Sequence, residues 1–113
     1  MDSLARDPIP PGTLDMLILK TLSRSKDDLH GFEIAESIHR HSASVLRVEE
    51  GSLYPALQRM LLKGWIVGEW GRTADNRRAR YYRLTPAGRK QLERELESYR
   101  RVSDAIALVL QPG

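Results

Sequence analysis

The chain contains no cysteine. Disulfides, thiolate metal sites and a cysteine nucleophile are therefore excluded, which fits a reducing cytoplasm. Long apolar runs are missing as well. The longest stretches from Ala105 to Leu110, far short of the ~20 residues that span a bilayer, so no membrane partner is expected. The N-terminus opens with an acidic second residue and has no apolar segment. It does not read as a signal peptide, and a cytoplasmic location is expected. Aromatic residues make up only 6% of the chain. The 113 residues and 41% hydrophobic content suffice for one domain with one modest core, and not for two.

Catalytic patterns are lacking too. There is no Ser-His-Asp order, no Gly-rich phosphate loop and no isolated acidic pair in an apolar setting, so an enzyme is not expected. His39 and His41 lie two apart and point in different directions on a helix. Glu36 and His39 share a face, but no further ligands converge on them. Neither a metal nor another cofactor is expected. Glu49 and Glu50 precede or cap a helix, where negative charge is favourable.

What is present is an uneven charge distribution. Between Arg72 and Lys90 seven Lys and Arg face one acid, Asp75, a local net of +6 in a chain whose total is +3. The rest of the molecule is therefore mildly acidic. One basic zone on such a body is the pattern of a phosphate-binding surface; the alternative is a solvated charged face.

Hydrophobic spacing predicts helices over 13–23, 32–41, 51–63 and 86–110. In the second, Phe32, Ile34, Ala35 and Ile38 are expected inside. In the third, Leu53, Leu57, Met60 and Leu61 form the inner face, leaving Ser52, Tyr54, Gln58 and Arg59 outside. Pro55 sets that helix's start near residue 51, and Gly64 is its C-cap candidate. The segments 24–31 and 41–50 read as breaks or irregular connectors. Two strand-like runs, 65–70 and 80–85, flank a long arginine-rich loop, the pattern of a wing. Thr85-Pro86 is a helix start, with a hydroxyl N-cap and proline at the first helical position. Along the last helix Leu92, Leu96, Tyr99, Ser103, Ile106 and Leu110 recur close to a heptad seam, with Val102 and Val109 beside it. A helix of ~25 residues spans about 37 Å, longer than so small a body can cover. A second copy of the chain is the expected partner for the stripe; the alternative is a helix folded wholly onto its own domain.

Helix, helix, helix, hairpin and long helix make a winged helix-turn-helix, mainly α with a small β-hairpin, with a dimerisation helix appended. The strings PGTLDMLILKTL, HGFEI, EGSLYPALQRM, KGWI and RARYYRLTPAGR resemble the PadR family of bacterial transcriptional regulators. The resemblance is to its short members and runs over residues 11–110. It implies a homodimer whose third helix enters the major groove while the wing follows the backbone or minor groove. It also implies repression, relieved in some members by small aromatic molecules. The fourth helix here has no tryptophan, only Tyr99, which weakens the case for a drug-stacking pocket. The short form also lacks the larger C-terminal domain in which other members bind effectors.

The expected organisation is an N-terminal arm over 1–12, a DNA-binding domain over 13–85 and a dimerisation helix over 86–113. The candidate DNA contacts are Ser52, Tyr54, Gln58 and Arg59 on the third helix and Arg77, Arg78 and Arg80 on the wing. Gln and Arg read base edges through paired hydrogen bonds, and Ser and Tyr reach phosphates. The alternatives are a packed Tyr54 and a merely solvated Arg59. Arg83 is expected to pair with an acid; Tyr81, Tyr82, Trp65 and Trp70 are expected to be structural. The candidate dimer contacts are Leu92, Leu96, Tyr99, Val102, Ile106 and Leu110. Two-fold symmetry then implies an inverted-repeat operator in double-stranded DNA. A protein-interaction adaptor gripping a partner through the long helix is the alternative function, and the clustered arginines argue against it. A small aromatic effector lodging near Tyr99 is a further expectation.

Overall fold

The computed structural model describes residues 7–10 and 12–113, with side chains from residue 9 onward. The start of the expected arm, together with Pro11, lies outside the described residues. The elements run β1 (Asp7–Pro8), α1 (Leu14–Arg24), β2 (Leu29–His30), α2 (Gly31–His41), β3 (Leu46–Arg47), α3 (Glu50–Leu62), β4 (Ile66–Arg72), β5 (Arg78–Leu84) and α4 (Pro86–Leu110). All four expected helices form. No helix among the described residues is long and apolar enough to cross a membrane.

The sheet has one strand more than the expected hairpin. β5 lies between β2 and β4, antiparallel to both, and β1 pairs in parallel with β3. The segments read as irregular thus hold two two-residue strands, β2 and β3, and the expected arm holds a third, β1. The hairpin is also longer than its apolar pattern suggested. Gly71 pairs with Ala79 and Arg72 with Arg78, which cuts the connecting loop to residues 73–77. Thr73 and Arg77 close it through an N–H to carbonyl bond of 2.8 Å, and Asn76 takes a left-handed φ of 65°, a conformation asparagine tolerates.

The core is built from Ile18 and Leu19 of α1, Ile34 and Ile38 of α2, Leu53, Leu57 and Met60 of α3, Ile66, Tyr82 and Leu92. Phe32 is not part of it and stands 67% exposed. The phase of α2 explains this: at about 100° per residue Phe32 lies about 120° from Ile38, the middle of the buried arc. His30 sets where α2 begins, as its N-cap. Its Nδ1 accepts the Glu33 N–H, while Glu33 accepts the His30 N–H, a complete capping box.

α3 starts one residue earlier than Pro55 implied and carries that proline in its second turn. Proline cannot donate to the Gly51 carbonyl, but Gly51 is exposed, where water satisfies it. The helix ends at Leu62 with Lys63 as its C-cap, and Gly64 follows with φ +76°. The Gly64 N–H reaches the Leu61 carbonyl at 3.1 Å and the Trp65 N–H reaches Met60 at 3.0 Å, a Schellman ending.

α4 begins against this turn. Thr85 donates its N–H to the Trp65 carbonyl at 3.0 Å, and its hydroxyl accepts the Gly88 N–H at 3.0 Å. Gly88 is pressed so close that an added Cβ would sit 2.0 Å from the Trp65 carbonyl oxygen. An alanine there would gain about 1 kcal/mol of helix propensity but collide with backbone that cannot swing aside. Gly88→Ala is expected to lower stability by about 1–3 kcal/mol in denaturant melts. Gly51→Ala, whose Cβ meets open space, is expected to raise it by up to about 1 kcal/mol.

Candidate nucleic-acid interface

Every third-helix candidate is exposed, as its spacing predicted, but the four do not form one surface. Tyr54 and Gln58 lie about 40° apart around the helix, and Ser52 and Arg59 about 20° apart on the opposite flank. Tyr54 and Gln58 face the wing. Arg59 turns to α1 and α4, where Asp15 holds it at 2.7 Å. Ser52 lies beside Ile9, Pro10 and Arg47.

The wing's basic side chains are arranged by strand alternation. Directly opposed residues share a face, so the pairs Ile66–Leu84, Gly68–Tyr82, Trp70–Arg80 and Arg72–Arg78 form one continuous row. Its inner end, Ile66 and Tyr82, is buried in the core. Its outer end carries Trp70, Arg72, Arg78 and Arg80 beyond the body.

This outer row faces α3 across a groove of about 980 Å³. Phe32, Tyr54 and Gln58 line one side, and Trp70, Arg78 and Arg80 the other. Gly31 at the start of α2 makes the groove this tight, since a Cβ there would meet the Tyr54 hydroxyl at 2.6 Å. Tyr54 is therefore both packed and half-exposed. Burial pushes the Tyr82 phenol above its ordinary range, Arg80 pulls it back and Tyr54 adds to the rise, so Tyr82 stays neutral.

The remaining candidates separate clearly. Arg77 borders the groove but is tied to Asp75 at 3.3 Å. Arg83 pairs with an acid, Asp28, at 3.1 Å, one that lies just before β2 rather than on the sheet. Tyr81 is a packing residue: its ring meets His30 edge-on at 5.3 Å and its hydroxyl donates to the Arg72 carbonyl. Trp65 packs against the core with the Lys63 ammonium over its ring at 4.8 Å. Trp70 departs from expectation, because it is 59% exposed and lies under Arg78 rather than under the core. Phe32 is likewise a groove residue that apolar spacing assigned to the interior.

Along α4, Leu92 is only 5% exposed and belongs to its own protomer's core, with Leu96 packed against it. It is not free to meet a partner as expected, because the first turns of α4 lie on α1. The uncovered stripe begins at Tyr99 and continues through Val102, Ile106 and Leu110. Tyr99 and Val102 also border a depression of about 400 Å³ shared with Leu14, Met16 and Arg59.

A family model described as the transcriptional regulator PadR-like family matches residues 18–94. A transcriptional regulator of Mycobacterium tuberculosis is 41% identical over 66 residues, covering 58% of this chain and 58% of that protein. The crystal structure of a PadR-like transcriptional regulator from Bacillus cereus superposes with a TM-score of 0.72 at 30% identity, over 90% of this chain and 95% of its own. Bacillus subtilis PadR, crystallised in complex with operator DNA, shares the fold with a TM-score of 0.64 at 23% identity, over 74% of this chain and 47% of its own.

The contact between Gly31 and Tyr54 is open to a double-mutant cycle. Gly31→Ala is expected to destabilise the protein in the presence of Tyr54 and to cost less in a Tyr54→Ala background. The expected coupling is about 0.5–3 kcal/mol; a value near zero in chemical melts would mean that the ring swings aside freely.

Proposed function

Given that the chain belongs to the PadR-like family of transcriptional regulators, which are not enzymes, we propose that it is a repressor that binds an inverted-repeat operator in double-stranded DNA as a homodimer. The observation that carries this reading is the groove, which gathers Tyr54 and Gln58 of α3 opposite Arg78 and Arg80 of the wing. A fold relative in complex with operator DNA supports it.

In this reading α3 enters the major groove. Gln58 reads a base edge through its amide, which can make a bidentate contact to adenine. Tyr54, held by Gly31, and Ser52, near the helix N-terminus, reach phosphates. Arg78 and Arg80, with Arg77 at the loop, neutralise the flanking backbone, contacts that position without reading sequence. Arg59 is assigned no base contact, because Asp15 already engages it. The exposed stripe Tyr99, Val102, Ile106 and Leu110 is the dimer seam. The depression beside Tyr99 is where a small aromatic effector would lodge. A protein-adaptor role would leave the arginine row without a purpose.

The two DNA-facing elements are separable. On an operator selected from random DNA, Arg78→Ala is expected to weaken operator and random DNA alike. It should flatten the log–log salt dependence by about one unit per lost phosphate contact, or twice that when both protomers contribute. Gln58→Ala is expected to leave random-DNA binding and the slope unchanged. It should cost about 1–3 kcal/mol per half-site on the operator and relax one base position. Reversal of the two patterns would exchange the roles of helix and wing.

The seam is tested by deleting residues 99–113. Sedimentation is expected to show a monomer with weak operator affinity. A truncated chain that stays dimeric and binds at full strength would overturn the seam.

A further inference from the structure

The outer end of the wing row holds an arrangement that its charge alone does not explain. Trp70 is a large apolar side chain left 59% exposed, and it is not idle. The guanidinium carbon of Arg78 lies 4.3 Å from its ring centroid, and that of Arg80 lies 5.9 Å away. Cross-strand register sets this up. Arg80 is the direct partner of Trp70, and Arg78 is the diagonal one, pairing with Arg72; both positions are within reach of a long side chain. Gly68 completes the arrangement two residues earlier. A Cβ there would meet Arg80 Nε at 2.8 Å, so the missing side chain lets Arg80 lie flat across β4. That Nε is buried without a hydrogen-bond partner. The position of Arg80 is therefore set by packing rather than by an acid.

The neighbouring arginines are held differently. Arg77 is bound to Asp75 through its Nε and Arg83 to Asp28 through one terminal nitrogen, so in each a carboxylate competes with a phosphate for part of the donor edge. An indole uses only the flat face of a guanidinium and leaves its edge donors free, the buried Nε of Arg80 excepted. A free arginine loses rotamer entropy when it is fixed, and stacking removes part of that loss before any ligand arrives.

We propose that Trp70 is a positioning residue for DNA binding, a shelf that pre-orients Arg78 and Arg80 toward the phosphate backbone. The inference rests on the wing reading given above and deepens it: the aromatic acts through the arginines and makes no base contact of its own. Its signature differs from that of an arginine. Removing the shelf leaves the number of neutralised phosphates unchanged and makes each contact harder to form.

The test uses the full-length protein and random-sequence duplex DNA at several salt concentrations, with thermal melts as a control. Trp70→Leu is expected to weaken binding about two- to fivefold per wing, from the usual strength of an exposed cation–π contact. The salt slope should not change, and the melting temperature should fall by no more than the few degrees that the lost contact accounts for. Trp70→Phe keeps a ring face and is expected to recover most of the loss, and it carries the test if the leucine variant is unstable. In an Arg78→Ala, Arg80→Ala background Trp70→Leu is expected to have no effect. A full loss persisting in that background would overturn the proposal, because Trp70 would then touch DNA directly. Full affinity of Trp70→Leu beside a weakened Arg78→Ala would overturn it while leaving the wing reading intact. If Arg78→Ala, Arg80→Ala binds like the parent protein, the wing reading and the shelf fall together.

Discussion

The carbonyl of Trp65 is the point on which the architecture depends. It receives the Thr85 N–H and hydroxyl at 3.0 and 2.9 Å and presses against Gly88, whose missing Cβ makes the approach possible. The N–H of the same residue closes the end of α3 on Met60. The last turn of α3, the first residues of β4 and the first turn of α4 therefore meet around one residue. A small domain has a limited core, and here a few directional bonds do what buried area alone does less well. They fix the angle between the exposed helix face, the wing and the outgoing helix.

The groove follows from that fixed angle. β4 and β5 leave the core with Ile66 and Tyr82 inside and keep the same face turned toward α3 as they extend outward. The residues that continue the row are then aromatic and basic instead of aliphatic. Gly31 and Gly68 serve one purpose on opposite sides, letting Tyr54 and Arg80 lie against backbone where any other residue would push them away. Charge is graded along the wing. Arg83 near the core and Arg77 in the loop are paired with acids, whereas Arg78 and Arg80 between them rest on Trp70.

Much of this was legible in the sequence, and the rest was hidden for identifiable reasons. Helical periodicity places Leu53, Leu57 and Met60 inside and Tyr54 and Gln58 outside, because a thirteen-residue helix repeats its pattern often enough to be read. Strands of two residues, such as Leu29–His30 and Leu46–Arg47, have no period to detect. Spacing misplaces Phe32 because it sits about 60° from Ala35 but about 120° from Ile38 and 160° from Ile34, and only the fold shows that Ile34 and Ile38, not Ala35, mark the middle of the buried arc. Spacing also shows that Arg59 is exposed without showing that Asp15, 44 residues away in sequence, holds it. Trp70 obeys the alternation of its strand. What the pattern could not reveal is that the strand continues past the core, so that the inward face there looks onto a groove.

α4 runs unbroken from the wing base to the exposed stripe, which makes it a transmission shaft. Leu92 and Leu96 seat it in the body, and Tyr99 marks the first position beyond the seat. On the proposed dimer, the residues between Leu96 and Tyr99 act as gearing. Each residue added or removed there would rotate the seam by about 100° and shift it by about 1.5 Å relative to the DNA face. The phase between the two reading heads, and hence the operator spacing they accept, is then written in a count of residues that touch no DNA at all.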